Sequence, residues 1–225
     1  MLFALPGKRL EAAAKLVRPG AFVADIGTDH AYLPIYLVGK GIATRAIASD
    51  INRGPLDRAA SNIRAAGLEE RITLLLTDGV VGLCGLGITD YIICGMGGEL
   101  IDSITKAPFL RDPSVLLILQ PMTKPELLRA GLLSRGFSIR DERLAEEAGR
   151  VYQIFSASFT GIQAAYSDAE LLLGKENMTR GDELYYKLAC REAEIIRRRL
   201  EGKRKAGLDV SSDEALLADI EATLK

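Results

Sequence analysis

Apolar residues fall along the chain in two alternating rhythms. Short, predominantly apolar runs at 22–26, 45–49, 72–76, 91–94 and 115–119 are too short for helices and rich in Ile, Val, Leu and Ala. They predict buried strands. Apolar positions at helical spacing over 8–17, 32–38, 55–66, 99–105 and 125–134 predict helices before, between and after them. Pro19-Gly20, Gly67 and Gly136 supply stop signals, and Pro34 falls in a first turn, where a missing N–H leaves nothing unpaired. Two further runs, 137–144 and 151–159, have no helix-length segment between them and predict an antiparallel pair. The alternation predicts an α/β domain whose mostly parallel sheet is covered on both faces and closed by an antiparallel edge.

The rhythm changes after residue 161. A long, highly charged segment, 182–205, carries Leu184, Leu188, Ile195, Ile196 and Leu200 along one stripe and is broken by Gly207. Ser211 and Glu214 have the spacing of a capping box, and Leu217, Ile220 and Leu224 form a second stripe. Two stripes joined by a short loop predict a helical hairpin of coiled-coil type. The expected division is therefore 1–161 for a Rossmann-like domain and 162–225 for a small helical domain.

Composition narrows the class. The chain has 225 residues, 29 Lys and Arg against 30 Asp and Glu, and 48% apolar residues, so a sizeable core is expected and a generally basic surface is not. Cys84, Cys94 and Cys190 are dispersed, which reads as free thiols in a reducing cytoplasm with neither a disulfide frame nor a metal site. The first residues are apolar for too short a stretch to form a signal peptide, and no run has membrane length.

Candidate chemistry gathers at the strand ends. The first strand runs into Asp25-Ile26-Gly27-Thr28-Asp29-His30-Ala31. A glycine turn there brings backbone close to a ligand at the carboxyl edge of the sheet. Asp29 stands where a dinucleotide-binding turn usually has a second glycine. Carboxylates at 25 and 29 repel a pyrophosphate and suit a cation, such as the sulfonium and ammonium of S-adenosylmethionine. Asp50, followed by Ile51, ends the second strand, where a carboxylate can accept both ribose hydroxyls. Asp78-Gly79 ends the third and can take an adenine amino group. Gly95-Met96-Gly97-Gly98 follows the fourth strand, where a methyl acceptor meets the sulfonium; the Asn/Asp-Pro-Pro-Tyr/Phe motif of many amine methyltransferases is absent. The set favours a class I methyltransferase sheet over a dehydrogenase.

Asp25-Ile-Gly-Thr-Asp-His-Ala-Tyr-Leu-Pro34, Ser49-Asp50 with Gly54-Pro55, Ile93-Cys-Gly-Met-Gly-Gly98, Leu119-Gln-Pro121 and the opening Lys8-Arg9-Leu10-Glu11-Ala12 together resemble the TrmK family, bacterial tRNA (adenine-22, N1) methyltransferases. The resemblance covers roughly residues 8 to 160. It implies S-adenosylmethionine as cofactor and an adenine of the tRNA D arm as acceptor. It maps Asp25, Gly27, Asp50, Asp78 and the Gly95–Gly98 loop onto cofactor contacts, and Asp29, His30 and Tyr32 onto the mouth of the active site.

An adenine N1 engaged in pairing has no free lone pair, so the target base must leave its stack. Asp29 is the first candidate to stabilise charge on the methylated base, with His30 and Tyr32 as catalytic candidates beside it and Tyr32 also able to stack on the base; Asp29 and His30 are expected among the cofactor-binding residues as well. RNA contact needs cations. Arg197-Arg198-Arg199 with Lys203, Arg204 and Lys205 form the densest run, and Arg129, Arg135, Arg140, Arg143 and Arg150 a scattered second set. A monomer or weak dimer is expected, in the cytoplasm. Methylation of a small molecule or protein, and a non-catalytic S-adenosylmethionine- or RNA-binding module, are the readings to be separated from this one.

Overall fold

The chain is described from a computed structural model covering residues 3–224. Seven strands form one sheet: β1 (Ala21–Ile26), β2 (Ala43–Asp50), β3 (Ile72–Leu76), β4 (Asp90–Met96), β5 (Leu116–Pro121), β6 (Phe137–Glu147) and β7 (Arg150–Phe159). Their order is β3-β2-β1-β4-β5-β7-β6. β1 to β5 pair in parallel, and β7 enters antiparallel between β5 and β6. The order reverses between β1 and β4. Open α/β sheets bind ligands at the carboxyl ends of such a switch point.

Five helices cover the sheet: α1 (Lys8–Ala14), α2 (Tyr32–Gly39), α3 (Arg53–Ala66), α4 (Gly98–Ile104) and α5 (Pro125–Ser134). Val23, Ala46, Ile92, Ile118 and Ile154 point to one face, against α1, α2 and α3. Ile26, Ile47, Ile93, Leu117 and Leu119 point to the other, against Ile101 of α4 and Leu128 and Leu132 of α5. Burial on both faces is why the strands read as mostly apolar runs without a polar alternation. The 8–17 helix stops early, at Ala14, because the next turn tightens: the Leu16 N–H bonds the Ala13 carbonyl. β6 and β7 run further than expected and meet at Ala148-Gly149. Both of these residues are left-handed (φ 50° and 74°), as a two-residue hairpin turn requires.

Four more helices follow: α6 (Asp168–Leu173), α7 (Lys175–Arg180), α8 (Glu183–Lys205) and α9 (Ser211–Ala222). The first two were not foreseen. The capping box forms at Ser167 and Glu170, not at Ser211 and Glu214. At α9 the Asp209 carboxylate instead takes the N–H and hydroxyl of Ser211, each at 3.0 Å. Tyr185, Leu188, Ala189, Ala193, Ile196 and Leu200 form the buried stripe of α8; Ile195 lies beside it and is 43% exposed. This stripe packs against Ile220 of α9, Leu173 of α6 and Val151 of β7 in a third apolar cluster.

A buried polar network ties these helices to the sheet. Arg129 of α5 is fully buried, which removes it from any RNA-facing set. Its Nε and Nη2 donate to Glu142 of β6 and Gln153 of β7, each at 2.8 Å, and its Nη1 donates to the Leu171 carbonyl. Glu142 also accepts the Glu176 N–H, and Gln153 donates to the Leu172 carbonyl. Between α6 and α7, Gly174 has φ 88°, and a Cβ there would run into Glu142 and Asn177. Removing one partner of a buried ion pair strands the other charge. Arg129→Met is therefore expected to lower the unfolding free energy by roughly 3–5 kcal/mol in urea denaturation, and adding Glu142→Leu to restore part of it. A single-variant loss below about 1 kcal/mol, the size of a surface pair, would contradict this picture.

Candidate active site at the sheet edge

The end of β1 is shaped by one carbonyl. The N–H groups of Gly27 and Thr28 both donate to the Ser49 carbonyl of β2, each at 2.8 Å. Two successive amides can meet one acceptor only if the chain turns sharply, and Gly27 does so at φ 76°. The methyl of Met96 occupies the space a Cβ on Gly27 would need. Ala31, left-handed at φ 54°, then starts α2.

This turn roofs a cavity of about 360 Å³. Asp25, Gly27, Thr28, Asp29, His30 and Tyr32 line it from the β1 side, Cys94 and Gly95 from β4, and Arg9 from α1. Six of the residues expected at the site are thus brought together. Asp50, Ile51, Asp78, Gly79, Met96 and Gly97 do not line the cavity. Asp50 and Ile51 end the neighbouring β2, and Asp78 and Gly79 follow β3 beyond it, so the three aspartates succeed one another along the edge in the spatial order of the strands. Met96 lies beneath Gly27, and Gly97 caps α4.

The acids differ in character. Burial pushes the Asp25 carboxyl up to about 6; the neighbouring Thr28 opposes the shift, and the charge of Asp50 adds to it. The Thr28 side chain is buried beside Asp25, the acid whose charge it favours. Asp29 is 62% exposed at its side chain, and the Arg58 guanidinium of α3 holds its carboxyl below the usual range. The His30 Nε2 lies 3.3 Å from the same carboxylate. Asp29 is thus part of an ion pair instead of a free charge. The His30 and Tyr32 rings stack at 4.9 Å, Tyr32 is 40% exposed, and the Asn62 side chain donates to the His30 carbonyl at 2.9 Å.

Arg9, Gln120, Arg58 and Asn62 went unassigned in the sequence. Arg9 and Gln120 stand in the strings that carry the resemblance, but nothing local marks their part in the site. Arg58 and Asn62 sit one helical turn apart on α3, a spacing that a ligand-facing pair and a solvated pair share.

A second cleft, about 530 Å³, opens between the loop after β5 and α8. Its walls include Met122, Lys124, Arg150, Arg191, Glu192 and Ile195. It adjoins the end of β4, because the Met122 N–H donates to the Met96 carbonyl at 2.8 Å. Arg191 is exposed and belongs to no ion pair among the described residues. The 197–205 run differs: Arg197 pairs with Glu221, Arg198 with Glu194, Arg199 and Lys203 with Asp213, and Arg204 with Glu214. Most of that charge is neutralised within the hairpin.

A methyltransferase-domain family model matches residues 6–155. The chain is 37% identical over 171 residues to the tRNA (adenine(22)-N(1))-methyltransferase of Bacillus subtilis (strain 168), spanning 74% of this chain and 71% of that protein. A Streptococcus pneumoniae structure in complex with S-adenosyl-L-methionine is 32% identical at a TM-score of 0.87, covering 98% of this chain and 100% of that one. The structure of M. capricolum TrmK with S-adenosyl-homocysteine is 26% identical at a TM-score of 0.82, covering 96% of each chain. With its strand order, its glycine turn and this likeness over most of its length, the chain belongs to the family of tRNA (adenine(22)-N(1))-methyltransferases.

Proposed function

We propose that this protein transfers a methyl group from S-adenosylmethionine to N1 of adenine 22 in the D arm of tRNA, in the cytoplasm. The observation that carries the reading is the row of aspartates along the switch-point edge, ending beside a stacked His30–Tyr32 pair at the cavity mouth. In this reading residues 1–161 bind the cofactor and residues 162–225 help to seat the RNA.

The residues present fit the cofactor. Asp25 is a buried carboxylate whose raised pKa marks the cost of a charge that a cationic ligand would offset, and the Thr28 side chain lines the cavity beside it. Asp50 would accept the ribose hydroxyls, Ile51 would cover the adenine, and Asp78 with Gly79 would meet its amino edge. When bound, S-adenosylmethionine supplies a sulfonium-borne methyl that the N1 lone pair can displace in line. The chain's own task is alignment. The Gly95-Met96-Gly97 backbone bounds the space for the acceptor, and His30 and Tyr32 present a flat surface on which an unstacked adenine can rest. Transfer leaves positive charge on the base. Asp29 at the mouth stabilises it from outside, with a field weakened by Arg58.

The direct test is incubation with S-adenosylmethionine and a tRNA transcript carrying A22, followed by mapping of the modified position. A single N1-methyl at A22, absent from a G22 transcript, is expected. Methylation elsewhere, or of no RNA at all, would overturn the reading. In the same assay Asp29→Ala is expected to slow single-turnover transfer roughly tenfold while leaving cofactor affinity within about threefold; lost affinity at an unchanged rate would make Asp29 a cofactor ligand instead.

A cationic ligand favours the ionised form of Asp25, so binding depresses its pKa and releases a proton. Affinity for S-adenosylmethionine should be level above neutral pH and fall as pH drops through about 6, by up to about tenfold per pH unit. Asp25→Asn should flatten that profile; an unchanged profile would remove Asp25 from the site. On the RNA side, Arg191→Glu should weaken tRNA binding severalfold at low salt and leave cofactor affinity unchanged. Equal tRNA affinity would take the second cleft out of the RNA path.

A further inference from the structure

We infer that Arg58 is a phosphate contact for the RNA strand at the cavity mouth, and that it leaves Asp29 for that phosphate when the target base enters, an assignment that rests on the tRNA-methylation reading above. The exchange unmasks the acid when positive charge develops on the base.

Asp29 lines the cavity and its partner does not: Arg58 reaches the rim from α3. Both side chains are more than half exposed. The carboxylate is shared, Oδ1 accepting from the Arg58 Nη2 and Oδ2 lying 3.3 Å from the His30 Nε2. A Cβ on Gly54 would stand 3.9 Å from the Arg58 Nη1, so the guanidinium lies over the first turn of α3. Its other N–H groups meet no protein acceptor among the described residues.

The loop keeps its shape without this pair. The Ser49 carbonyl holds the amides of Gly27 and Thr28, the Asn62 side chain holds the His30 carbonyl at 2.9 Å, and the Ile35 N–H holds the Ala31 carbonyl at 2.9 Å. Arginines that tie the fold together look different. Arg18 donates to the buried Asp90 and also to the Thr89 and Ser114 carbonyls. Arg135 donates to both Asp102 and Thr105. Arg58 has no second anchor among the described residues, and an exposed ion pair contributes little to stability. Leaving Asp29 therefore costs little, and a phosphate offers the planar fork a matching pair of oxygens.

The place also fits. A nucleotide whose base rests on the stacked His30 and Tyr32 rings keeps its phosphate outside, at the rim that Arg58 reaches. Before entry, Arg58 offsets the charge of Asp29. After entry, the phosphate offsets Arg58, and Asp29 faces the cationic methylated base. Opposite charges are paired at both stages.

The test measures single-turnover methylation of the A22 transcript against tRNA concentration, at several salt concentrations. It uses wild type, Arg58→Gln, Arg58→Lys, Asp29→Ala and the Arg58→Gln, Asp29→Ala double variant, with S-adenosylhomocysteine affinity as the check on folding. Arg58→Gln should raise the tRNA concentration for half-maximal rate about fivefold at low salt, hold the saturating rate within about twofold, and lower the salt slope of tRNA binding by about one. Arg58→Lys, which keeps the charge and loses the fork, should fall between it and wild type. The loss should be at least as large in the Asp29→Ala background, because the contact is made to RNA and not through the acid. A slower saturating rate at an unchanged half-maximal concentration, or no effect of Arg58→Gln in the Asp29→Ala background, would overturn the exchange and leave Arg58 a positioning residue for Asp29. An unchanged salt slope would overturn the phosphate contact. Equal loss of S-adenosylhomocysteine affinity in Arg58→Gln and Arg58→Lys would make Arg58 a structural residue. Failure of the tRNA reading itself would show differently, as no methylation of the transcript by wild-type protein.

Discussion

The Ser49 carbonyl, taking the amides of both Gly27 and Thr28, is the interaction on which the site depends. It forces the chain back over the end of β1 and brings residues 29 to 32 above a space that β4 bounds from the far side. A Cβ at Gly27 would meet both a forbidden φ and the Met96 methyl, so the turn and the loop after β4 constrain each other. The sheet order does the rest. With β2 and β3 to one side of β1 and β4 to the other, residues at successive strand ends become successive points along one edge.

That edge carries unbalanced charge. Asp25 is buried beside Asp50, and the cost of keeping a carboxylate there shows in its raised pKa. A free protein holding such a group is poised for a cation, which restores the lost solvation. Arg9 is the mirror case, a guanidinium fixed by a neutral amide and left without a counter-ion among the described residues. Asp29 is different: exposed and paired with Arg58, it belongs to the mouth of the cavity more than to its interior. The proposed roles follow this gradient from buried, ligand-facing charge to solvated, RNA-facing charge.

The strands and the five covering helices were legible because burial on both faces leaves an unambiguous pattern. The glycine turn and the aspartates at strand ends were legible because their chemistry is local. What escaped was contact between distant segments. Arg129 reads as a surface cation in the sequence, and only Glu142 and Gln153, brought beside it by the β6–β7 hairpin, make it a core residue. The 197–205 cations read as an RNA face until α9 folds back with Asp213, Glu214 and Glu221. Helices α6 and α7 are six residues each, too short to show a period, and Ile195 differs from the buried Ile196 by one step around a helix. Arg9 belongs to the first helix, far in sequence from Gln120 of β5, which accepts its hydrogen bond at the cavity wall.

The most direct measurement is titration calorimetry of the purified chain with S-adenosylhomocysteine and with NAD, on the wild type and on Asp50→Ala. Uptake of one S-adenosylhomocysteine per chain, no uptake of NAD, and at least about tenfold weaker binding by a normally folded Asp50→Ala is the predicted outcome. Binding of NAD in place of S-adenosylhomocysteine, or full affinity without the Asp50 carboxylate, would contradict the account.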